Sequence, residues 1–462
     1  MDAPECPGCR DLSARLAQAE AKLLSLEAII RDLQDKLKPP PEPRPVTSQP
    51  PAPAKKPTGK KPGAQPGHPP LMKSLVKPER VNHVVPYVPE SCSKCTTALP
   101  QAAAATDPEP KRHQVAELPP MAAVITEHQA CGRICPCCGE TTWATIPAEI
   151  RAHSVGSRMT GFIGVLSGVH GMSKRGIEEL IEQSFDVSLA LGTIANREQE
   201  LSAALAPAHE EVRKAVADAA VKHLDETGWK QAGKKRWLWV AAIPTMVYFL
   251  IHPRRNLDAL KRVAGERLGG ILCSDRWCVY DDWPGGMRQL CWAHVKRNWE
   301  KKAERGGAGK ALAEAWLELH AQVFALWHRF REKKCTRPEL REQMFPLRYG
   351  LQQVLARGKR SRDRTLVRFC ARLMDQFQYL WTFAEVDGVE PTNNRAERVL
   401  RRAVLWRRRS FGCHSAEGCL FAERILTVVQ SLREQKRSVQ TFLSDAIAAH
   451  RAGTAAPRLQ LG

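Results

Sequence analysis

The feature that most constrains the fold lies between residues 219 and 292, where short apolar segments surround one helical segment. Apolar runs of this length, bounded by Gly, Pro or charged residues, are typical of strands. The predicted strands are Ala219–Leu224, Arg236–Ile243, Met246–His252, Ile271–Ser274 and Gln289–Trp292. Leu257–Leu268 is predicted to be a helix that ends at Gly269 and Gly270, and helical sequence runs from Ala293 to about Phe383.

The order of three strands, a helix, two strands and then helices matches a ribonuclease-H-like sheet that carries a long helical insertion. We therefore expect an α/β domain of that type over residues 219–409, with the insertion at about 295–385. Length predicts further domains around it, so the fold class is multidomain α+β.

Three acidic residues stand at notable places in this region. Asp225 and Asp275 are predicted to end apolar strands, and Glu397 opens a helix. Such carboxylates can hold two divalent cations, Mg2+ or Mn2+, and two cations can clamp the attacking and leaving oxygens of a phosphoryl displacement. The alternatives are structural: turn-forming Asp residues at strand ends, and a capping box in which Glu397 reaches back to the Asn394 amide.

The charge balance points to a polyanionic partner. Lys and Arg total 70 against 49 Asp and Glu, which gives a formal net charge of +21. Arginines cluster just after Glu397, and guanidinium groups bind phosphate oxygens bidentately. A solvated basic face is the alternative, but DNA is the predicted partner. The predicted DNA-binding residues are Arg395, Arg398, Arg401, Arg402 and Arg407.

The N-terminal part is predicted to oligomerise. Residues 1–38 contain apolar residues at alternating spacings of 4 and 3, which is the pattern of a coiled coil, most simply a homodimer. Leu12, Leu16, Ala19, Leu23, Leu26, Ile30, Leu33 and Leu37 form this seam. A helix packed on its own core is the alternative. Residues 39–70 are rich in Pro and Lys and are predicted to be a basic, extended linker.

Residues 71–150 contain two C-x2-C pairs among strand-like pieces at Val81–Val88 and Ala122–His128. Pairs of this spacing place four thiolates around one tetrahedral Zn2+. The predicted zinc ligands are Cys92, Cys95, Cys135 and Cys138, with Cys131, Cys137, His113 and His128 as possible substitutes. Cys6 and Cys9 precede the coil and could share a zinc ion between two chains, although free thiols are the simpler interpretation.

The region between the cysteine pairs and the predicted sheet is expected to be helical. Residues 151–218 are helical, and Lys174–Gln183 followed by Leu191–Leu201 could form a helix-turn-helix that reads DNA, or any helical hairpin.

Cys291 and His294 have ligand-like spacing, but two ligands do not close a zinc site. We expect them to be core residues, with a supporting role at the neighbouring carboxylates as the alternative. Residues 410–462 form a C-terminal segment.

No targeting or membrane segment is recognisable. The N-terminus lacks a basic region followed by an apolar one, and the apolar run Trp237–Ile251 is too short to span a bilayer and contains Pro244. We therefore expect a soluble, cytoplasmic protein with no membrane partner. Its fifteen cysteines are expected to be reduced thiols or metal ligands.

Four motifs in this order resemble those of the bacterial transposases of insertion-sequence family 66, the TnpC type. They are Asp225-Glu226-Thr227-Gly228-Trp229, Ser274-Asp275, Cys291-Trp292-Ala293-His294 and Asn393-Asn394-Arg395-Ala396-Glu397-Arg398. The resemblance covers the whole chain, and Ser410–Phe442 looks like the C-terminal piece of such proteins. It implies a leucine-zipper-like segment, a zinc-binding region with a role at DNA ends, and a catalytic domain of ribonuclease-H-like fold.

By that resemblance Asp225, Asp275 and Glu397 are the DDE triad. Many members have Gly after the second acid, where this chain has Arg276. The implied activity is Mg2+-dependent cleavage at element ends, followed by transfer of the exposed 3′-OH into target DNA without a covalent enzyme intermediate. Terminal inverted repeats, target DNA and two small accessory proteins of the same element are the implied partners. The resemblance further implies a bacterial protein that is associated with the nucleoid when bound to DNA.

Two other functions are compatible with parts of the sequence. A ribonuclease-H-like nuclease, such as a junction resolvase, would use the same acids without joining DNA ends. A zinc-containing DNA-binding regulator with a dimerising coil would account for residues 1–220, but it leaves the three acids unexplained.

Overall fold

A computed structural model of the chain describes residues 75–119, 121–284 and 287–460. The chain forms two compact units, Met1–Glu117 and Leu118–Gly462. The predicted coiled coil, the basic linker and the Cys6–Cys9 pair lie outside the described residues, so these remain predictions.

The strand-like pieces predicted at 81–88 and 122–128 are not strands in the structure. Regular structure in the described part of the first unit is limited to a 3-10 turn at Pro78–Arg80. The valines and isoleucines of both pieces are largely exposed; Val84 is 82% exposed and Val124 is 94% exposed. An apolar β-branched sequence forms a strand only where a partner strand accepts its backbone hydrogen bonds, and neither piece has one among the described residues.

Mixed α and β structure makes up the second unit. The described residues of this unit form fourteen α-helices. In chain order they are α1 (Ala148–Arg151), α2 (Ser157–Gly164), α3 (Lys174–Phe185), α4 (Leu191–Ala204), α5 (Ala206–Asp218), α6 (Leu257–Ala264), α7 (Trp292–Arg305), α8 (Lys310–Arg331), α9 (Arg337–Lys359), α10 (Arg364–Asp375), α11 (Thr382–Glu385), α12 (Asn394–Ser410), α13 (Ala416–Glu434) and α14 (Val439–Ala452). A π-helical segment at Val165–Val169 follows α2 directly. None of the described helices is long and apolar enough to cross a bilayer.

Two sheets are present in this unit. Their strands are β1 (Gly132–Ile134), β2 (Thr141–Trp143), β3 (Val221–Gln231), β4 (Lys234–Ala242), β5 (Val247–His252), β6 (Ile271–Ser274) and β7 (Arg288–Leu290). β1 and β2 form a hairpin, and the other five strands form a sheet of order β5-β4-β3-β6-β7. β3, β4 and β5 pair antiparallel, whereas β6 and β7 run parallel to β3. The predicted order of strands and helices in this region is therefore confirmed.

β3 is longer than the sequence indicated. The prediction that Asp225 ends this strand is wrong, because the antiparallel pairing with β4 continues to Gln231 opposite Lys234. A tight turn at Ala232 and Gly233, both at positive φ, closes the hairpin and keeps the strand in register. On its other edge β3 pairs with β6 only as far as His223 opposite Cys273. Asp225 thus lies beyond the end of the parallel pairing rather than at the end of its own strand.

The helical insertion has a core of its own, formed by α7 to α11. Its centre is aromatic: the rings of Trp299 and Trp316 stack at 5.2 Å, and Trp292 lies 6.1 Å from Trp316. All three side chains are fully buried. Trp292 also donates from its indole nitrogen to the Leu380 carbonyl at 2.7 Å. The insertion is therefore a packed helical subdomain that starts directly after β7.

Helix α13 covers the outer edge of β5. Its residues Glu423, Thr427 and Ser431 are spaced by four and share one helix face. They accept hydrogen bonds from the backbone N–H groups of the strand, at Ile251 (2.9 Å), Phe249 (3.0 Å) and Val247 (3.0 Å) respectively. An exposed strand edge is a site for unwanted pairing. The predicted C-terminal segment therefore contains a helix that completes the sheet.

Helices α2, α3 and α4 build a smaller cluster around Ile163, Ile177 and Ile194. α3 ends at Asp186, which adopts a left-handed conformation at φ 53°. The helices predicted at 174–183 and 191–201 are confirmed as α3 and α4, each slightly longer than expected. Their contact with DNA remains a prediction.

Candidate active site

Asp225 lies on the central strand β3 in an acidic environment. Its Oδ1 accepts a hydrogen bond from the Glu226 amide at 2.9 Å. Burial raises the pKa of Asp225 to about 8, and the negative charges of Glu226, Asp275 and Glu397 contribute to the same increase. Like charges this close disfavour ionisation of one another. The structure thus brings the three predicted acids into one electrostatic cluster.

Asp275 directly follows β6 and reaches this cluster through the sheet register. His223 of β3 stands opposite Cys273 of β6, and Asp225 and Asp275 are each two residues further along these parallel strands. The Asp275 carboxylate is fixed by the backbone N–H of Trp277, which donates to Oδ1 at 2.9 Å. Asp275 was predicted to follow a strand, and this prediction is confirmed.

Arg276, the departure from the family pattern, is held by the insertion. Its Nε donates to Oε1 of Gln376 at 3.1 Å, and its guanidinium lies 5.1 Å from the centre of the Phe369 ring. Burial lowers the pKa of Arg276 to about 10, with the nearby Arg372 as a second cause. The bulky charged neighbour is therefore accommodated between Asp275 and helix α10.

Glu397 is placed by the residues that start α12. Asn393 is fully buried, and its side-chain amide donates to the Leu224 carbonyl of β3 at 2.6 Å. Its Oδ1 lies 3.2 Å from Nδ1 of His223, and its backbone N–H donates to Sγ of Cys291 at 3.2 Å. One side chain thus joins the start of α12 to the strand that carries Asp225.

The capping-box interpretation of Glu397 is wrong. α12 begins at Asn394 with Asn393 as its N-cap, and no side chain caps the helix. Oε1 of Glu397 instead lies 3.2 Å from Nδ1 of His294, 3.4 Å from the Arg297 guanidinium and 3.9 Å from Sγ of Cys291. The Glu397 carboxylate therefore faces a thiol and an imidazole, and it is not occupied by a bond to the backbone at the helix start.

Three site residues were missed by sequence reasoning. Glu226 is buried and accepts hydrogen bonds from Arg255, whose Nε donates to its Oε1 at 2.7 Å, and from the Tyr280 hydroxyl. Burial raises the pKa of Glu226 and raises that of Tyr280 well above its ordinary value. The sequence did contain a signal for Glu226, since an acid next to Asp225 in a strand must face the other side of the sheet. Its partners are distant in sequence and gave no local pattern.

The predicted DNA-binding arginines fall into two groups. Arg398 and Arg401 are exposed on α12, and neither has a hydrogen bond or ion pair with the described residues. The other three bind protein oxygens: Arg395 the Pro244 carbonyl, Arg402 the Gln430 side chain and Arg407 the Gly228 carbonyl.

The two predicted zinc-ligand pairs lie in tight turns with the same backbone pattern. In the first unit Cys92 N–H donates to the Thr97 carbonyl, and Thr96 N–H donates to the Cys92 carbonyl, both at 2.9 Å. A hydrogen bond with the Thr97 hydroxyl lowers the pKa of Cys95 to about 7. Such turns suit thiolate ligands.

The second pair lies in the β1–β2 hairpin of the other unit. The Cys135 N–H donates to the Glu140 carbonyl at 2.8 Å, and the Gly139 N–H donates to the Cys135 carbonyl at 2.9 Å. The backbone N–H groups of Cys138 and Cys137 lower the pKa of Cys135 below its usual value. Cys135 and Cys138 thus lie in one tight turn, and their role as zinc ligands remains a prediction.

Residues 153–420 match the family model described as Transposase IS66 family. This range is more than half of the 462 residues and contains all three acids of the cluster. An uncharacterized protein of Sinorhizobium fredii, y4hP, is 24% identical over 297 residues, which are 57% of this chain and 53% of that protein. The chain therefore spans about half the length of this curated relative. On the family match, the chain belongs to the IS66 family of transposases.

Proposed function

We propose that this chain is a DNA transposase that cuts at the ends of an insertion sequence and joins the exposed 3′-OH to target DNA. Asp225, Asp275 and Glu397 form its catalytic cluster. The observation that carries the proposal is the convergence of these three carboxylates from three separate elements. Burial raises the pKa of Asp225 to about 8, and the charges of Glu226, Asp275 and Glu397 add to this increase. Uncompensated carboxylates cost stability when they are crowded, and a bound cation removes that cost.

The donor set suits Mg2+ or Mn2+, which prefer carboxylate oxygens. Such ions, when bound, supply Lewis-acid stabilisation to the reacting phosphate and activate the attacking oxygen. Glu226 is already bound to Arg255 and Tyr280, so it supports the strand rather than acting as a ligand. The three proposed ligands are therefore Asp225, Asp275 and Glu397.

The surrounding residues position the acids and the DNA. The β3–β6 register sets Asp225 beside Asp275, and Asn393 fixes the start of α12 against β3. Arg398 and Arg401 follow Glu397 on an exposed face, where they can hold phosphate groups near the cleaved bond. Arg395, Arg402 and Arg407 stabilise the helix and border that surface.

The catalytic domain is proposed to have a ribonuclease-H-like fold. The support is the strand order β5-β4-β3-β6-β7, with three antiparallel strands followed by two parallel ones. The insertion enters after β7 and returns before α12. This connection lets the chain add a whole helical subdomain without interrupting the sheet.

The remaining modules are proposed to recognise DNA and assemble the complex. Cys92, Cys95, Cys135 and Cys138 are proposed zinc ligands, supported by the shape of each turn taken separately. α3 and α4 are proposed to contact the terminal inverted repeats. The N-terminal heptads are proposed to form a homodimer, and two small accessory proteins of the same element are proposed partners.

The test is cleavage of a labelled duplex that carries the element's terminal repeat, with Mg2+ or Mn2+ present. We expect the wild-type chain to nick the repeat end and expect Asp225→Asn, Asp275→Asn and Glu397→Gln each to lose cutting by about a hundredfold or more while still binding DNA. Asp282→Asn is the control, because this exposed acid ends the 3-10 turn Cys278–Asp282, which comes after β6, and it lies outside the cluster. Cutting that survives Glu397→Gln would refute the assignment of the third acid.

A further inference from the structure

A second group of metal-binding atoms lies next to the acid cluster and includes one of its members. Sγ of Cys291, Nδ1 of His294 and a carboxylate oxygen of Glu397 all lie within 4.8 Å of one another. Among the described residues, these three form the one group of three or more His, Cys, Asp or Glu side chains whose ligand atoms are spaced this closely. We propose that these three residues form a binding site for a transition-metal ion of the Zn2+ class.

The distances fit such an ion with small side-chain movements. Oε1 of Glu397 lies 3.2 Å from Nδ1 of His294 and 3.9 Å from Sγ of Cys291. Zinc bonds of about 2.0 Å to nitrogen or oxygen and about 2.3 Å to sulfur place tetrahedral ligand atoms roughly 3.3 to 3.6 Å apart. The three donors are therefore already spaced almost as a bound ion requires.

The fold holds the three donors from two directions. Cys291 follows β7 and is the N-cap residue of α7, and His294 stands three residues later in the first turn of that helix. Glu397 comes from α12, and the Asn393 backbone N–H donates to the Cys291 sulfur at 3.2 Å. Hydrogen bonds of this kind orient metal ligands and stabilise a thiolate.

The His294 ring provides a second, independent observation that points to a bound ion. Its Nδ1 is shielded from solvent and has no hydrogen-bond partner, although it lies against the Glu397 carboxylate. A buried ring nitrogen without a partner is costly. Arg297 also contacts Glu397, at 3.4 Å, but its side chain is 49% exposed and can turn into solvent when an ion binds.

The donor types determine which metal the site selects. A thiolate and an imidazole are soft or borderline ligands, so they favour Zn2+, Co2+ or Cd2+ over Mg2+ and Ca2+. Three protein ligands leave a fourth coordination position for water or a phosphate oxygen, as in catalytic zinc sites. The proposed site is therefore distinct in selectivity from the all-carboxylate cluster.

Sharing Glu397 gives the site a regulatory consequence, which rests on the proposed transposase function. An ion held by Cys291 and His294 would draw the Glu397 carboxylate away from Asp225 and Asp275. Zn2+ would then inhibit Mg2+-dependent cleavage at the element end. The metal-binding site itself does not depend on that function.

Metal stoichiometry of the full-length chain tests the site directly. Zn2+ bound per chain is measured by mass spectrometry after equilibrium dialysis, for the wild type, Cys291→Ser, His294→Ala and the control Cys370→Ser. Cys370 is also a buried thiol, but it belongs to no such group. We expect one equivalent less Zn2+ in Cys291→Ser and in His294→Ala, and no loss in the control.

Two features keep this test decisive. The His294 side chain is 30% exposed, so His294→Ala should fold even if Cys291→Ser does not. Titration with Co2+ should also give a thiolate charge-transfer band that is weaker in Cys291→Ser than in Cys370→Ser. Equal Zn2+ content in the wild type and His294→Ala, together with equal Co2+ spectra, would overturn the site.

The regulatory consequence has a separate readout. The cleavage rate of each protein is first expressed relative to its own rate without Zn2+. The Zn2+ concentration that halves this relative rate should be about tenfold higher, or more, in His294→Ala than in the wild type. An unchanged inhibitory concentration would overturn the regulatory role. If the wild type cuts no DNA at all, the proposed function fails, but the stoichiometry still decides whether the site exists.

Discussion

At the residue scale, the site brings together carboxylates whose crowding costs stability and whose oxygens can bind cations. Burial raises the pKa of Asp225 to about 8, and the charges of three neighbouring carboxylates add to this increase. Glu226, its neighbour on the opposite face of β3, is buried but neutralised by Arg255 and bonded to Tyr280. The difference between these two acids is that only Asp225 lacks a cationic side chain bound to its carboxylate among the described residues.

Replacement of Asp225 by Asn should stabilise the metal-free protein at high pH. The pKa of Asp225 in the folded chain, about 8, lies above its ordinary value of 3.8, so the folded state loses stability as pH rises between these values. Asp225→Asn removes this loss and should gain on the order of a few kcal/mol at pH 8 without divalent cations. Thermal unfolding at pH 5 and pH 8 measures it.

The same melts distinguish this effect from a general one. Mg2+ should raise the Tm of the wild type at pH 8 more than that of Asp225→Asn, because the cation relieves the same repulsion. Asp282→Asn should follow the wild type in both conditions, since Asp282 is exposed. A metal-free Asp225→Asn protein that melts below the wild type at pH 8 would contradict the account.

Asn393 is predicted to be the residue that positions Glu397. It is fully buried, and it contacts β3 through Leu224 and His223 and the end of β7 through Cys291. Asn393→Ala should cost about 1 to 3 kcal/mol of unfolding free energy, because buried partners are left unsatisfied. It should also reduce end cleavage. Urea unfolding and the cleavage assay measure both.

The adjacent Asn394 provides the matched control for this prediction. Asn394 is exposed at the first position of α12, and its side chain does not cap the helix. Asn394→Ala should therefore change stability by less than about 0.5 kcal/mol. Equal losses in the two variants would mean that Asn393 has no special positioning role.

At the element scale, the sequence predicted the strands and helices better than their ends. Apolar runs identified all five strands of the main sheet, but the end of β3 depends on the hairpin partner β4, which no local pattern of β3 contains. Val81–Val88 has strand-like residues but no partner strand. The role of α13 as the cover of β5 was also hidden, because its acceptors meet backbone N–H groups about 180 residues earlier.

Gly270 should be essential for the entry of β6 into the sheet. It adopts φ +71°, and a Cβ there would lie 2.5 Å from the Ala219 carbonyl oxygen, next to the start of β3. Gly270→Ala combines this clash with backbone strain and should cost about 2 kcal/mol or more. Gly269→Ala is the control, because its Cβ would meet nothing closer than 3.9 Å. Equal melting temperatures of the two variants would disprove the requirement.

Glu423 should make the sheet edge sensitive to pH. Burial raises its pKa to about 7 from an ordinary value of 4.5. The folded state therefore loses stability as pH rises from about 4.5 to about 7, and the loss is complete above pH 7. Glu423→Gln keeps an oxygen acceptor for the Ile251 N–H and removes the charge.

This substitution should raise the unfolding free energy above pH 7 by up to about 3 kcal/mol and flatten its dependence on pH. Urea titrations between pH 5 and pH 8 measure the profile. Thr427→Val is a useful comparison, since it removes a similar edge contact without an ionisable group. A Glu423→Gln profile parallel to that of the wild type would show that the carboxyl is not the pH-sensitive group.

At the scale of the whole molecule, the second unit places a small acidic cluster on a strongly basic chain. The formal net charge is +21, yet the proposed catalytic groups are carboxylates. This separation is sensible for an enzyme that acts on DNA, because arginines attract the polyanion and the acids hold the cations. The sequence indicated both halves of this arrangement. It offered a supporting role of Cys291 and His294 at the neighbouring carboxylates only as an alternative, and it did not place them around Glu397, because that contact depends on how α7 and α12 meet.

Exposed arginines of α12 should contribute to DNA affinity through counterion release. Arg398→Ala and Arg401→Ala should each weaken binding to the terminal repeat and reduce the slope of log affinity against log salt by about 1. Arg360→Ala, an exposed arginine at the end of α9, is the charge-matched control. Fluorescence anisotropy at several salt concentrations measures the slopes. An unchanged slope in both α12 variants would place the DNA path elsewhere.

The most direct test of the central claim is a joining reaction with a terminal-repeat duplex that already ends in a labelled 3′-OH. The full-length protein, Mg2+ and a supercoiled plasmid are combined, and covalent transfer of the label to the plasmid is measured. The account predicts joining by the wild type, none from a 3′-dideoxy end, and none with Asp225→Asn despite retained DNA binding. Hydrolysis of the plasmid without joined product would instead identify a nuclease, and joining by Asp225→Asn would contradict the proposed catalytic cluster.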